Sequence, residues 1–298
     1  IFGDNNLGPS RPTPSGAPPG NFYTALIGEV TAEAYGIFTQ GTYRPADDVG
    51  LTLGVRYSDE TRDGTGTFQG PTDAIPPVST PRHISTSNVS VKAGVDWHIS
   101  DAVMTYASFS QGFKSGVILV GSSDPAAKPE RVDSYEIGLK GQFLARRLQT
   151  NLAAFYYDYK DLQITQLLQG ASVPSITNAG SAEIHGLEAE VSAVVLDGVR
   201  VDAKAGYLEA TFKELISRNP RVAPPAPSPE LDLAGNTLPY APTWTADVRL
   251  EYALSLDTHG ALTMSGEAIY TDNMTFSIFN EADLSQPANT IYNASLRY

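Results

Sequence analysis

Along most of this chain, apolar and polar side chains alternate one by one, the period of a strand with two unlike faces. In 86–99, Val89, Val91, Ala93, Val95 and Trp97 share one face, while Asn88, Ser90, Lys92, Asp96 and His98 share the other. Tyr135, Ile137, Leu139 and Phe143 oppose Ser134, Glu136, Lys140 and Gln142. Leu187, Ala189, Val191, Ala193 and Val195 oppose Glu188, Glu190 and Ser192; Ala246, Val248, Leu250, Tyr252 and Leu254 oppose Asp247, Arg249 and Glu251. The pattern predicts about eleven strands: 35–45, 49–59, 86–99, 101–113, 131–144, 147–166, 182–196, 199–213, 242–256, 261–277 and 289–298.

The connections alternate as regularly as the strands. Tight links fall at Ala46–Asp48, around Ser100, at Ala145–Arg146, at Asp197–Gly198 and at Asp257–Gly260. Between them come long polar stretches rich in Gly and Pro: 60–85, 114–130, 167–181, 214–241 and 278–288. A chain that turns tightly at one end and loosely at the other is an up-and-down antiparallel sheet between two unlike environments. Outer-membrane barrels are built this way, whereas soluble sandwiches mix connection lengths through Greek-key crossings. The expected fold is therefore all-β, an antiparallel transmembrane β-barrel seen in part.

Charge decides which face is wet. Rows of Glu, Lys, Asp and Arg cannot line a dry core, because unpaired buried charges are too costly. They suit a watery or plugged lumen, and Val, Leu and Tyr on the other face suit lipid. Tyr43, Tyr57, Trp97, Tyr252 and Tyr270 are candidate girdle residues at the two interfaces. An odd number of strands cannot close a bacterial barrel, so neighbouring strands are expected to lie outside this sequence.

Composition narrows the function. No run approaches the apolar length of a helical membrane span, which leaves strands as the means of crossing. The formal charge of −13 argues against nucleic acid, whose phosphates need a basic partner surface. There is no cysteine, hence neither a disulfide framework nor a thiolate metal site. His83, His98, His185 and His259 are scattered without metal-ligand spacing, and no phosphate loop or nucleophile elbow appears, so neither an enzyme nor a resident cofactor is expected. Asp158, Asp161 and Glu60 are candidates for a divalent cation at the outer rim. Tyr156, Tyr157 and Tyr159 are candidates for an aromatic ligand site there. The first residues lack a charged segment followed by an apolar run, so any signal peptide is expected to have been removed or to lie outside the sequence.

Several segments, in order, resemble the TonB-dependent receptors of Gram-negative outer membranes. They are Ala34–Gln40 with Leu51–Tyr57, Gln111–Gly116, Pro129-Glu130 with Ser134–Lys140, Leu152–Gln163, Asn178–Gly180, Gly186–Glu190 and Leu238–Pro242. The resemblance implies a Pro/Gly-rich outer loop over 1–34 and a receptor barrel portion over 35–298. It also implies a location in the outer membrane. Implied partners are membrane lipid and lipopolysaccharide, the TonB–ExbB–ExbD system, and a scarce small ligand such as a ferric siderophore. Arg56, Glu136, Lys140, Glu188, Glu190, Asp247, Arg249 and Glu251 would face the lumen as plug contacts. Lys114, Tyr157 and Tyr159 would meet ligand at the outer rim. Gly138, Gly186 and Gly206 would let a plug or a neighbouring backbone come close. The family's plug and TonB-engaging segments are not recognised here. Two further expectations follow: an accessory subunit of an outer-membrane assembly without transport activity, or a passive porin-like channel.

Overall fold

The computed structural model describes residues 25–69, 78–79, 81–119, 125–166, 175–219, 221 and 229–298. Eleven long strands follow one another in chain order, each antiparallel to the next. They are β1 (Ala25–Ala46), β2 (Val49–Gln69), β3 (Arg82–Ser100), β4 (Val103–Lys114), β5 (Glu130–Phe143) and β6 (Leu148–Gln166). They continue as β7 (Ser175–Leu196), β8 (Val199–Arg218), β9 (Trp244–Ser255), β10 (Ala261–Thr271) and β11 (Asn289–Arg297). Short pieces join the outer ends: Val78–Ser79 pairs with β2, Glu230–Asp232 with β8, and Met274–Thr275 with Ser285–Gln286. Among the described residues β1 and β11 are each paired on one side, so the wall is not closed.

All the predicted strands are present, but several run further outward than the alternation suggests. β1 begins at Ala25, inside the expected 1–34 loop, whose residues 1–24 lie outside the described ones. β2 continues to Gln69, β3 starts at Arg82, β7 at Ser175, and β8 ends at Arg218. These extensions mix polar and apolar residues without the strict alternation of the membrane band and therefore carry little periodic signal. The backbone ladder holds them, helped by cross-strand polar pairs such as Ser87 on Asp59 (2.7 Å) and His83 on Asp63 (2.8 Å). β10 departs in the other direction. It stops at Thr271, and of the predicted remainder to 277 only Met274–Thr275 is extended, paired with Ser285–Gln286 instead of continuing the wall.

The tight turns gather at the opposite end. Leu144, Ala145 and Arg146 adopt φ of 54°, 54° and 68°, with Arg147 N–H donating to the Leu144 carbonyl (3.0 Å). Asp197-Gly198 reverses with Gly198 at φ 80°, and the last turn is a short 3₁₀ segment, Asp257–His259, before Gly260 at φ 98°. Glycine suits both positions because a Cβ disfavours this region.

Register fixes which side chains share a face. On the outward face, β9 shows Trp244, Ala246, Val248, Leu250 and Tyr252, and β5 shows Tyr135, Ile137, Leu139 and Phe143. These side chains are bare: Leu53 is 70 % exposed and Ile137 57 %. A continuous apolar face this exposed needs a non-aqueous solvent. The apolar span, about nine residues per strand, matches what a tilted strand needs to cross a bilayer.

Aromatic residues edge the band. At its outer edge Tyr57, Tyr156, Tyr207 and Tyr270 each donate a phenolic hydrogen to a carboxylate above: Asp59 (3.3 Å), Glu183 (2.9 Å), Glu209 (3.2 Å) and Asp272 (3.4 Å). At the turn edge lie Tyr43, Trp97 and Tyr252, with Trp97 Nε1 donating to Asp48 (3.1 Å). The ring faces lipid and the hydroxyl or indole N–H faces polar groups, the division of labour expected at a membrane interface.

Candidate functional site

The inward face carries the polar chemistry. The ladder sets Arg56 opposite Ser90, Lys92 opposite Ser110, Glu136 opposite Ser108, Asn151 opposite Glu190, Lys204 opposite Asp247, and Arg249 opposite Glu267. All eight sequence-predicted wall residues (Arg56, Glu136, Lys140, Glu188, Glu190, Asp247, Arg249 and Glu251) therefore fall on one face.

They are not equivalent. Toward the turn end of β7–β9 the charges are knitted together. Arg200 grips Asp202 (2.9 and 3.0 Å), Ser192 donates to the same carboxylate, Arg249 donates to Glu251 (3.1 Å), and Lys204 sits 3.7 Å from Glu190. Asn151 adds a donor to Glu190 (3.2 Å). Arg200, Asp202, Lys204, Asn151 and Glu267 were not singled out from the sequence. Their signal was present in the period of two, once the register of β8 against β7 and β9 is known.

The glycines of the inward face, Gly138 on β5, Gly186 on β7 and Gly206 on β8, each have a close neighbour within the wall. The Tyr106 ring lies where a Cβ on Gly138 would be, its hydroxyl donates to Glu136 (2.6 Å), and Lys140 Nζ stands 5.5 Å from the ring centroid. Phe155 occupies the space beside Gly186, and Thr245 Oγ1 that beside Gly206. At Gly186 the Tyr207 backbone carbonyl also comes close, as the expected approach of a neighbouring backbone requires, whereas at Gly138 and Gly206 it is a neighbouring side chain that takes the space.

The outer-rim tyrosines separate. Tyr157 and Tyr159 face inward, Tyr157 stacked on Phe155 with centroids 5.0 Å apart. Tyr156 faces outward to Glu183, so the three form no common aromatic site. Lys114 pairs with Glu130 (3.5 Å). The rim carboxylates also fail to converge. Asp158 is held by Lys160 (3.3 Å) and Lys213 (3.4 Å) on the outward face, Glu60 by Arg62 on the inward face, and Asp161 offers its backbone carbonyl to Asn178. No metal-ligand cluster occurs among the described residues.

Above the membrane band the connections are tied inward. The 115–129 segment is closed by backbone pairing of Val117 with Ala127, and Ile118 seats against Gly64. Gln163 Nε2 donates to the carbonyls of Ser115 (2.8 Å) and Lys128 (2.9 Å). Nearby, Ile164, Ala182, Phe212, Leu215 and Leu233 form a small buried cluster, with Tyr159, Leu238, Ile278 and Phe279 against it. The 229–243 and 272–288 segments are locked by Asn236 on the Ile278 carbonyl (2.9 Å) and Asn280 on Thr237 (2.8 and 2.9 Å). Arg221 reaches Glu281 (3.5 Å) and Asp283; its hydrogen bond to Asp283 holds that carboxyl below the ordinary carboxylate range.

An antiparallel wall with a bare apolar face outside, charge inside and loops folded over one end is the architecture of part of a transmembrane β-barrel. The chain belongs to the TonB-dependent receptor family: the family described as "TonB dependent receptor-like, beta-barrel" matches residues 2–298. It is 31 % identical over 184 residues to the ferric-pyoverdine M114 receptor PbuA of Pseudomonas sp. strain M114, covering 61 % of this chain and 21 % of that protein. It is 30 % identical over 127 residues to the ferripyoverdine receptor of Pseudomonas aeruginosa, covering 41 % and 15 %. Among solved structures, the ferric yersiniabactin uptake receptor FyuA from Yersinia pestis superimposes with a TM-score of 0.75 at 19 % identity, over 92 % of this chain and 39 % of that one. The siderophore receptor PiuA from Acinetobacter baumannii gives 0.72 at 19 %, over 91 % and 37 %. The matched region thus spans 21 % and 15 % of these curated relatives' length, and the structural likeness speaks for the fold.

Proposed function

We propose that this chain is part of the barrel of an outer-membrane receptor of a Gram-negative bacterium that imports a ferric siderophore with energy delivered through TonB. The observation that carries the reading is the family match along residues 2–298, joined to relatives named as ferric-pyoverdine receptors. The inward face supports it: a continuous hydrogen-bonding wall suits both a plug and a polar metal complex. In this reading Arg56, Glu136, Lys140, Glu188, Glu190, Asp247, Arg249 and Glu251 stand on the wall that the plug faces, while Lys114, Tyr157 and Tyr159 stand at the mouth where ligand arrives. The deciding experiment deletes the intact gene and measures radioactive iron uptake from the host's own siderophores under iron limitation. Uptake should fall and return with the intact gene, but not in a strain lacking TonB. Wild-type uptake of every siderophore fraction by the deletion strain would sink the proposal.

A further inference from the structure

The protein is acidic as a whole, yet part of its inward face is not. On β2, β3 and β4 that face carries Arg56, Arg62, Lys92 and Lys114. Its nearby carboxylates are already committed: Glu60 to Arg62, Glu130 to Lys114, Asp96 to Arg44 (3.6 Å) and His98 (3.8 Å), and Glu136 to the Tyr106 hydroxyl. Arg56 and Lys92 are left over. No carboxylate among the described residues lies within ion-pair reach of either, and both are exposed.

Arg56 is also held in place. Its Nε donates to Ser58 Oγ (2.9 Å), its guanidinium carbon lies 5.9 Å from the Phe38 ring centroid, and the group occupies the space that a side chain at Gly36 would need. A guanidinium fixed in this way, with its terminal nitrogens unspent, is prepared for an oxygen anion. Its surroundings are hydroxyls rather than acids. Ser90 stands opposite Arg56, Ser110 opposite Lys92, and Ser134 opposite Ser110.

We propose that Arg56 and Lys92, set among the serine hydroxyls of β3–β5, form an anion-selective subsite on the lumen wall that makes the imported iron complex one of net negative charge. The proposal rests on the receptor reading above and adds the charge class of its ligand. An anionic complex with carboxylate or phenolate oxygens would meet two cations that no carboxylate among the described residues pairs with, beside serine hydroxyl donors. A cationic complex would meet repulsion with no acid on this strip free to offset it.

The test uses the full-length receptor in its own membrane. Host culture supernatant is loaded with radioactive iron and split on an anion exchanger into a retained, anionic pool and a flow-through pool. Receptor-dependent uptake should come from the retained pool. It should drop by about tenfold in the Arg56→Gln, Lys92→Gln double variant, the scale of losing charge-assisted contacts. Arg56→Lys in a Lys92 background should recover most of it, and unchanged heat-modifiability on gels should report an intact barrel. Receptor-dependent uptake from the flow-through pool, or from the retained pool but indifferent to the double variant, overturns the subsite. So does an equal loss from both pools, which is the signature of a plug contact. Absence of receptor-dependent uptake from either pool instead removes the transport reading, and the subsite falls with it.

Discussion

Asn178 grips Lys128 by both of its backbone polar groups. The Asn178 carbonyl Oδ1 accepts the Lys128 N–H (2.6 Å), and Nδ2 donates to the Lys128 carbonyl (2.8 Å) and to that of Asp161 (2.7 Å). One carboxamide thereby copies the paired bonding of a neighbouring strand and joins β7 to two other segments. Replacing it with alanine removes all three bonds. Asn178→Ala should lower the opening free energy of the 115–129 segment by about 1–2 kcal/mol, because hydrogen bonds at a partly exposed site contribute modestly. Amide exchange measured by mass spectrometry in detergent should accelerate there and stay unchanged on β9–β11. Equal rates in both proteins would remove the clasp from the account.

Gly138 and Tyr106 make a coupled pair. A methyl group at Gly138 would strike the Tyr106 ring and push its hydroxyl off Glu136. Gly138→Ala should therefore destabilise the barrel by about 1–3 kcal/mol in urea unfolding from lipid vesicles, in line with other overpacked sites. Once Tyr106→Ala has emptied the space, adding Gly138→Ala should cost much less than it does alone. Strict additivity of the two would show that the ring and the glycine do not share the site.

Leu215 is 1 % exposed at the centre of the apolar cluster between the outer segments. Leu215→Ala should cost about 2–4 kcal/mol locally, the transfer loss plus a cavity. Limited proteolysis should then cut 229–243 and 272–288 more readily while the membrane band stays resistant. Unaltered cleavage would mean that these segments are held by their polar ties alone.

The Arg221–Asp283 tie should depend on acidity in one direction. The folded carboxyl binds its proton less tightly than an unfolded one, so the stabilisation is complete above an ordinary Asp pKa of about 4. It is lost as the pH falls through the lowered folded value. Exchange in 272–288 should rise below about pH 4 in the wild type, after correction for intrinsic rates. Asp283→Asn should show that faster exchange already at neutral pH and little further change on acidification. A wild type that loosens on going alkaline would contradict the sign.

The period of two reveals a strand only where the two faces meet different solvents. Tyr135 to Phe143 alternates because one side meets lipid and the other a polar interior, and the strand was legible from that alone. Glu60 to Gln69 lacks an apolar alternation, so its ten residues look like a loop although they are ladder-bonded. The wall charges were legible for the same reason as the membrane strands: face assignment needs only parity. Their partners were not, since Lys204 meets Glu190, and Arg56 meets no carboxylate among the described residues, only through the register between separate strands. Gly138 misled because sequence records a missing side chain but not which neighbour fills the space.

The outward continuation of the strands past the Tyr–carboxylate pairs sets how high the entrance stands. From Asp59 to Gln69 the backbone rises by about 33 Å along the strand, and roughly 25 Å of that is vertical at the usual barrel tilt. The described wall therefore rises well beyond its aromatic edge instead of ending level with it. In the proposed receptor, an antibody against this rim would find its target clear of the surrounding lipid headgroups.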